Sequence, residues 1–428
     1  MDKPIDKVAA GEACATRKKR LRRKQKKQMK IKIHRATSPK SILIEISTAQ
    51  TKIILDGGVN LEENEVLLLK ELQEQYALVG IDAAFLSHYS TDHITTARGL
   101  LDNVPVYASR LASKIALAAE DYKAKKPFPF AGYYTHATPI TVGDVSVTPY
   151  LVDSPVCEGY LLLIEGEGKS VLYTGDFRAN GRKSFEEMLT NLTQKVDVLL
   201  CERGVLTERD TSLITERDVE EQAAKLIEES NGPVFVLQSV TDFDRAATLL
   251  YAAKRNKRIF LQDLYAAHIA VAADKAMPNP VGWVGIKAFL TTGYKPEHPR
   301  YKMFAEMPRM SRATIETQKF VMCMRPTMKK YMKTLAQSMG IKNGLIINAL
   351  PDESESSLEV QAYLAFAAKM GLEVATLRVS GHANALALKT LIEAVKPTKL
   401  VPLLSQTATW FAEEYPEVAV VTETNIEC

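Results

Sequence analysis

The 428-residue sequence contains no apolar run approaching the roughly 18 residues that a helix needs to cross a bilayer, which excludes a helical integral membrane protein. The first residues are charged and lack both an apolar core and a small-residue cleavage site, so no secretory signal is expected. Cysteine is scarce. Cys14, Cys157, Cys201, Cys323 and Cys428 are odd in number, scattered and never spaced as CxxC, which argues against a disulfide framework and for a reducing, cytoplasmic setting. Internal repeats are absent, and low complexity is confined to one basic segment near the start. The apolar fraction of 46% and charged fraction of 25% fit a globular chain with ample core, long enough for two domains or more.

The net charge of +4 hides an asymmetry. Residues 1–35 carry 14 Lys/Arg and 3 Asp/Glu, a net +11, while the remainder carries 41 basic and 48 acidic residues, a net −7. Most of the positive charge lies between Arg17 and Lys27. Such a block repels itself and gains order only against polyanions. Residues 1–28 are therefore expected to form a disordered tail. It reads as a nucleic-acid arm, as a nuclear localisation signal if the source is eukaryotic, or as a leader outside the natural protein if translation starts at Met29.

From Met29 to about residue 204 the pattern is strand-rich. Strands are expected at 30–35, 41–47, 52–55, 81–86, 104–107, 138–142, 145–152, 160–165, 170–173 and 197–201, with helices over 61–75 and 109–123. Beyond residue 204, helix and strand alternate. Helices over 215–230, 242–255, 264–275, 326–339 and 355–370 separate strands at 233–238, 258–262, 319–324, 344–350 and 373–379, the rhythm of a parallel sheet with covering helices. Residues 278–312, rich in Pro, Gly and Lys, read as irregular and lying over a cleft. A helix over 385–394, a strand at 399–403, a helix over 407–414 and a strand at 418–421 complete the chain.

Chemistry concentrates at the ends of the early strands. The run Ile81–Leu86 delivers Ser87-His88-Tyr89-Ser90-Thr91-Asp92-His93, two imidazoles and a carboxylate within six residues, the donor types of a zinc-like site. Asp56-Gly57-Gly58 ends another strand, and its carboxylate can orient a neighbouring histidine. Further on come Asp153-Ser154, Thr174-Gly175-Asp176-Phe177-Arg178, Glu202, Ser380-Gly381-His382-Ala383 and Val401-Pro402-Leu403-Leu404. His136, His268 and His298 lie outside these groups and read as surface or loop histidines.

In this order the motifs resemble the β-CASP branch of the metallo-β-lactamase superfamily, the ribonuclease J-like, RNA-processing metallo-hydrolases. The resemblance covers nearly everything from Met29 onward. It implies an α/β fold, an αββα sandwich formed by residues 29–204 and 376–428 and interrupted by an α/β cap over 205–375. Such hydrolases hold two zinc ions that share a carboxylate and a hydroxide directed at a phosphodiester.

Carried over position by position, the resemblance makes His88, Asp92, His93 and Asp176 metal ligands, with Glu202, His382 and Asp176 as catalytic residues. The ligand histidines are replaced at three of seven positions, by Ser90, Ser154 and Leu404. At most one weakly held divalent ion, zinc or manganese, is then expected, or none. Ser380, Gly381, Arg245 and Ser239 are the expected phosphate or RNA contacts. A protein that binds RNA or a protein partner with little hydrolysis is the reading that follows, in the cytoplasm or, in a eukaryote, the nucleus. A one-metal phosphodiesterase and a scaffold without nucleic acid, whether partner-bound or homo-oligomeric, are the alternatives.

Overall fold

The structure, a computed structural model, describes residues 28–36, 42–57, 78–89, 103–156, 158–192, 194–201, 214–350, 357–404 and 407–428. The basic tail to Lys27 and the expected helix over 61–75 lie outside them. Strands β1 (Lys30–Ala36), β2 (Ile42–Ser47) and β3 (Lys52–Leu55) pair antiparallel, and β4 (Ala83–Phe85), β5 (Val106–Ser109) and β6 (Gly132–Tyr134) add to β3 in parallel. A strand has side chains alternating between its faces, so β2 feeds two cores. Ile42, Ile44 and Ile46 point to one, and Leu43 to the other, where α1 (Arg110–Tyr122) packs. Ser109 caps α1, its hydroxyl accepting from the Ala112 amide at 2.8 Å.

A second sheet begins with β7 (Ile140–Val142), β8 (Val145–Val152), β9 (Gly159–Gly166) and β10 (Lys169–Tyr173), all antiparallel. After α2 (Phe185–Leu189), β11 (Val198–Cys201) joins β10 in parallel. Its inner residues Val147, Leu162, Val171 and Val198 meet Ile44, Ile53 and Phe85 of the first sheet in a shared core.

The chain then builds a third layer. Helix α3 (Glu216–Glu229) precedes β12 (Val234–Leu237), α4 (Phe243–Arg255), β13 (Ile259–Asp263), α5 (Leu264–Ala272) and β14 (Ile286–Phe289). Short helices α6 (Pro299–Ala305) and α7 (Arg312–Ile315) lead to β15 (Phe320–Met324), α8 (Lys329–Ser338), β16 (Leu345–Asn348), α9 (Leu358–Lys369) and β17 (Glu373–Thr376). The six strands run parallel in the order β14-β13-β15-β12-β16-β17, with α3 and α4 against one face and α8 and α9 against the other. This is the alternating-helix sheet the sequence pattern predicts. Helix α3 starts at a reciprocal cap between Thr215 and Asp218.

The chain returns to the second sheet through α10 (Ala385–Val395) and β18 (Lys399–Pro402), which lies parallel to β11. Leu388, Leu391 and Ile392 of α10 cover that sheet's outer face, which completes the αββα layering. Helix α11 (Ala408–Glu414), β19 (Ala419–Val420) and β20 (Asn425–Glu427) finish the chain, β20 pairing antiparallel with β1.

One stretch departs from expectation. Residues 278–312 are not irregular throughout: they supply the edge strand β14 and helix α6. Only four residues carry the strand, between Gly285 at φ +89° and the polar exit from Leu290, too short a run for its period to register. Strands β6 and β20 escape the sequence pattern for the same reason; in β20 only Ile426 is buried.

Candidate functional site

Parallel pairing puts the carboxyl ends of β3 and β4 side by side, so Asp56 meets Ser87. The Ser87 amide donates to Asp56 Oδ1 at 2.8 Å, and the Ser87 hydroxyl donates to Asp56 Oδ2 at 2.6 Å. Across the sandwich, the wholly buried Tyr173 hydroxyl donates to the same Oδ2 at 2.6 Å. Ser87 Oγ also lies 2.9 Å from His88 Nδ1. Its one hydrogen is given to Asp56, so it accepts from Nδ1–H, which assigns the tautomer of His88. Asp56 thus orients His88 through Ser87 rather than directly. Sequence reasoning gave neither Ser87 nor Tyr173 a role; the signal available was their position beside His88 and Thr174.

Gly175 lets the second sheet's loop approach this point. Its φ is +52°, and a Cβ there would sit 2.7 Å from Ser87 Cβ, closer than carbon atoms pack. Asp176 follows, and His382 Nδ1 comes to 2.9 Å from Asp176 Oδ1. Ser380 Oγ accepts from the His382 amide at 3.2 Å and lies 3.1 Å from the His382 carbonyl, so its hydroxyl closes its own turn. Gly381 abuts Pro155, a Cβ at 381 lying 3.6 Å from Pro155 Cγ. The structure therefore gathers His88, Ser154, Asp176, Gly381 and His382 at one end of the sandwich.

Ser154 is enclosed, 1% exposed, and its Oγ has no hydrogen-bond partner among the described residues. It packs so tightly on Gly159 that a Cβ there would stand 2.5 Å from Ser154 Cβ. A buried hydroxyl without a partner costs free energy. Ser154→Ala is accordingly expected to raise unfolding free energy by about 1 kcal/mol in urea melts. A loss of more than that would mean the hydroxyl has a partner.

The cap reaches this end through the loop before α4. A backbone bridge pairs Val156 with Asp242, and the half-buried Ser239 shares its hydroxyl with Thr241 at 3.2 Å. Arg245 is placed otherwise than expected for a phosphate contact. It is 2% exposed; its guanidinium grips Glu216 at 3.1 and 3.2 Å and donates to the Ala349 carbonyl at 2.7 Å. The apolar face of α4 carries Arg245 inward, where Glu216 neutralises it.

A second buried arginine completes that network. Arg178 Nη2 donates to Asp244 Oδ2 at 2.7 Å, Nε lies 3.6 Å from Asp153 and Nη1 3.5 Å from Glu216. Burial opposes the Arg178 charge, but Asp153, Asp242, Glu216 and Asp244 outweigh it and hold the group above its usual range. Burial pushes Asp153 up to about 6 despite Arg178, and pushes Asp242 to about 6 with Glu216 adding to the shift. Arg178 therefore ties the loop that carries Asp176 to the cap.

Leu404 sits in the turn after β18, its carbonyl accepting from Thr407, with no ligand chemistry of its own. Ser90, Asp92, His93 and Glu202 lie outside the described residues. Among the described residues no three His, Cys, Asp or Glu side chains gather in a way that could hold a metal ion, and no helix is long and apolar enough to cross a membrane. Of the other histidines, His136 accepts from the Leu151 amide, His268 lies 3.2 Å from Asp121 and His298 caps α6.

Comparison with known proteins bears on the family and the fold. Residues 51–238 match a beta-lactamase superfamily domain. Ribonuclease J of Sinorhizobium meliloti is 23% identical over 373 residues, which cover 82% of this chain and 61% of that protein. Ribonuclease J 2 of Streptococcus pyogenes serotype M3 is 25% identical over 383 residues, covering 84% of this chain and 66% of that protein. The chain thus spans about two thirds of the length of these relatives, or less. In fold it is similar to the crystal structure of a protein of unknown function from Enterococcus faecalis V583, with a TM-score of 0.70, 18% identity, and coverage of 94% of this chain and all of the other.

Proposed function

From the premise that the chain carries a metallo-β-lactamase-superfamily domain and is homologous to ribonuclease J across most of its length, we propose that it binds RNA at the end of the sandwich and hydrolyses it little. The observation that carries this reading is the contact between His382 and Asp176. Asp176 is the carboxylate that the resemblance makes common to two metals, and here an imidazole lies against it at 2.9 Å. Ser154, where the resemblance wants an imidazole, offers an enclosed hydroxyl instead, and Leu404 offers no donor.

This donor set does not fit two zinc ions. It leaves one divalent ion at most, on Asp92, His93 and Asp176, and no step of the function runs through it. What these residues do is hold a phosphate. His382 Nδ1 lies beside Asp176 Oδ1 and forms an ion pair with it when the imidazole is protonated, and the turn Ser380-Gly381-His382 is closed by its own serine and packed on Pro155. Arg245 and the Ser380 hydroxyl are committed elsewhere and drop out of the expected contacts, the Ser239 hydroxyl is shared with Thr241, and the backbone at Gly381 remains. The setting is cytoplasmic, in line with the scattered cysteines.

His382→Ala, made in protein lacking residues 1–28, is expected to weaken RNA binding by about 1–3 kcal/mol, the scale of a hydrogen bond to a charged group. Stability should fall by no more than that. Titration binding and thermal melts on the same pair of proteins check it: lost stability with unchanged affinity would favour the scaffold. Incubation of end-labelled RNA with manganese should return intact RNA. Cleavage that disappears in Asp92→Ala would favour the one-metal phosphodiesterase.

A further inference from the structure

The outer face of the first sheet carries an exposed strip of aromatic and cationic side chains where its last strand, β6, runs beside β5 and α1. Residues alternate across β6, so Tyr134 points into the shared core and Tyr133 points out, where it stays 39% exposed. The Arg110 guanidinium lies over the Tyr133 ring, 5.0 Å from its centre. Arg110 is itself exposed, and its side chain has no hydrogen-bond partner among the described residues. Phe130 stands beside Tyr133 at 6.5 Å between ring centres and is backed by the buried Phe128 at 4.8 Å.

Position and charge both suit a strand of nucleic acid. Pairing sets Tyr133 beside Ala108, at the carboxyl end of β5, and Arg110 opens α1 just beyond. The next amide, Leu111, donates to Glu158 at 3.3 Å, and Glu158 precedes the Gly159 that packs on Ser154, so the strip reaches the sandwich end. In the other direction it follows α1 through the exposed Lys114 to the exposed Lys123 and Lys125. Residues 109–136 hold five Lys/Arg against Glu120 and Asp121, although residues 36–428 are net −7. Both carboxylates are engaged: Glu120 is buried and accepts from the Phe128 amide at 2.8 Å, and Asp121 lies 3.2 Å from His268. An aromatic ring and a guanidinium plane each take an unpaired base by stacking, and the guanidinium edge takes a phosphate.

We propose that this strip binds single-stranded RNA, with a base stacked against Tyr133 and Arg110 and phosphates taken by Arg110 and Lys114, and that it leads the strand to the sandwich end. It rests on the reading of the chain as an RNA-binding protein, but on residues other than the His382 turn. Fluorescence anisotropy of a labelled oligoadenylate with the full chain tests it at about 400 mM salt, where contacts of charge alone, those of the basic segment before Met29 included, have weakened by orders of magnitude and stacking persists. Tyr133→Ala should weaken binding at least about fivefold and Tyr133→Phe less than about twofold, with Arg110→Ala about fivefold or more. An RNA duplex of the same length, its bases paired with one another, should lose nothing in Tyr133→Ala. Where Tyr133→Ala melts lower than the parent, Arg110→Ala, whose side chain is exposed, decides. Equal affinity in the parent, Tyr133→Ala and Arg110→Ala overturns the proposal, and a loss confined to His382→Ala would do so while leaving the sandwich reading standing. A loss in Tyr133→Ala and Arg110→Ala but not in His382→Ala supports the strip and counts against the His382 turn. No measurable binding at this salt also overturns the proposal.

Discussion

Replacing Arg178 with methionine is expected to remove about 3–5 kcal/mol of stability, because it leaves buried carboxylates without their cation. Asp153 and Glu216 are completely enclosed, and Asp244 nearly so. Arg245 still neutralises Glu216 in the variant, whereas Asp153 keeps only the Gly181 amide at 2.8 Å and the weaker influence of Lys183. The deficit should also depend on pH. Folded Asp153 titrates near 6, above the roughly 4 of an unfolded aspartate, so the native state holds the extra proton between those values. Its contribution to stability therefore falls as pH rises through that window. Without Arg178 the folded value moves higher, and the loss continues past pH 6. Urea unfolding of both proteins at pH 5 and pH 8 should show the larger deficit at pH 8. Equal deficits at the two pH values would mean that the arginine acts by packing rather than by charge.

Removing residues 1–28 should cause the largest change in binding. The segment between Arg17 and Lys27 is almost wholly basic, and the remaining chain is acidic overall. With about eight phosphate contacts, log affinity for single-stranded RNA should fall with log salt at a slope of about −6, which amounts to more than three orders of magnitude between 50 and 200 mM. The truncated protein should show a nearly flat slope and retain its cooperative unfolding, because the tail has too few apolar residues to pack. Filter binding across a salt series reads this directly. An unchanged slope would place the non-specific surface on the folded body.

The layers of the fold were legible because period-two and helical patterns are local. Ile42–Ser47 and Val145–Val152 announce strands from their own residues, and the helices after residue 215 carry apolar faces and capping residues of their own. Strand β20 has one apolar residue and exists because β1 offers it backbone partners, which no local pattern records. The site followed the same division. The ordered motifs named His88, Ser154, Asp176 and His382, which the fold brings to one end. What stayed hidden was pairing at long range. Asp56 reaches Ser87 and Tyr173, Arg178 joins the Asp176 loop to the cap, and Arg245 turns inward to Glu216. An arginine written in a helix looks the same whether a carboxylate waits in the core or a phosphate in solvent.

The central claim, that replaced ligands leave a fold able to bind RNA without a two-metal centre, meets its most direct test in metal content. Protein purified without a metal-binding tag, exposed to excess zinc and manganese and then dialysed at neutral pH, can be measured by elemental analysis. The account predicts less than one ion of either metal per chain. Two tightly held zinc ions per chain would contradict it and would show that other side chains have taken the places left by Ser90, Ser154 and Leu404.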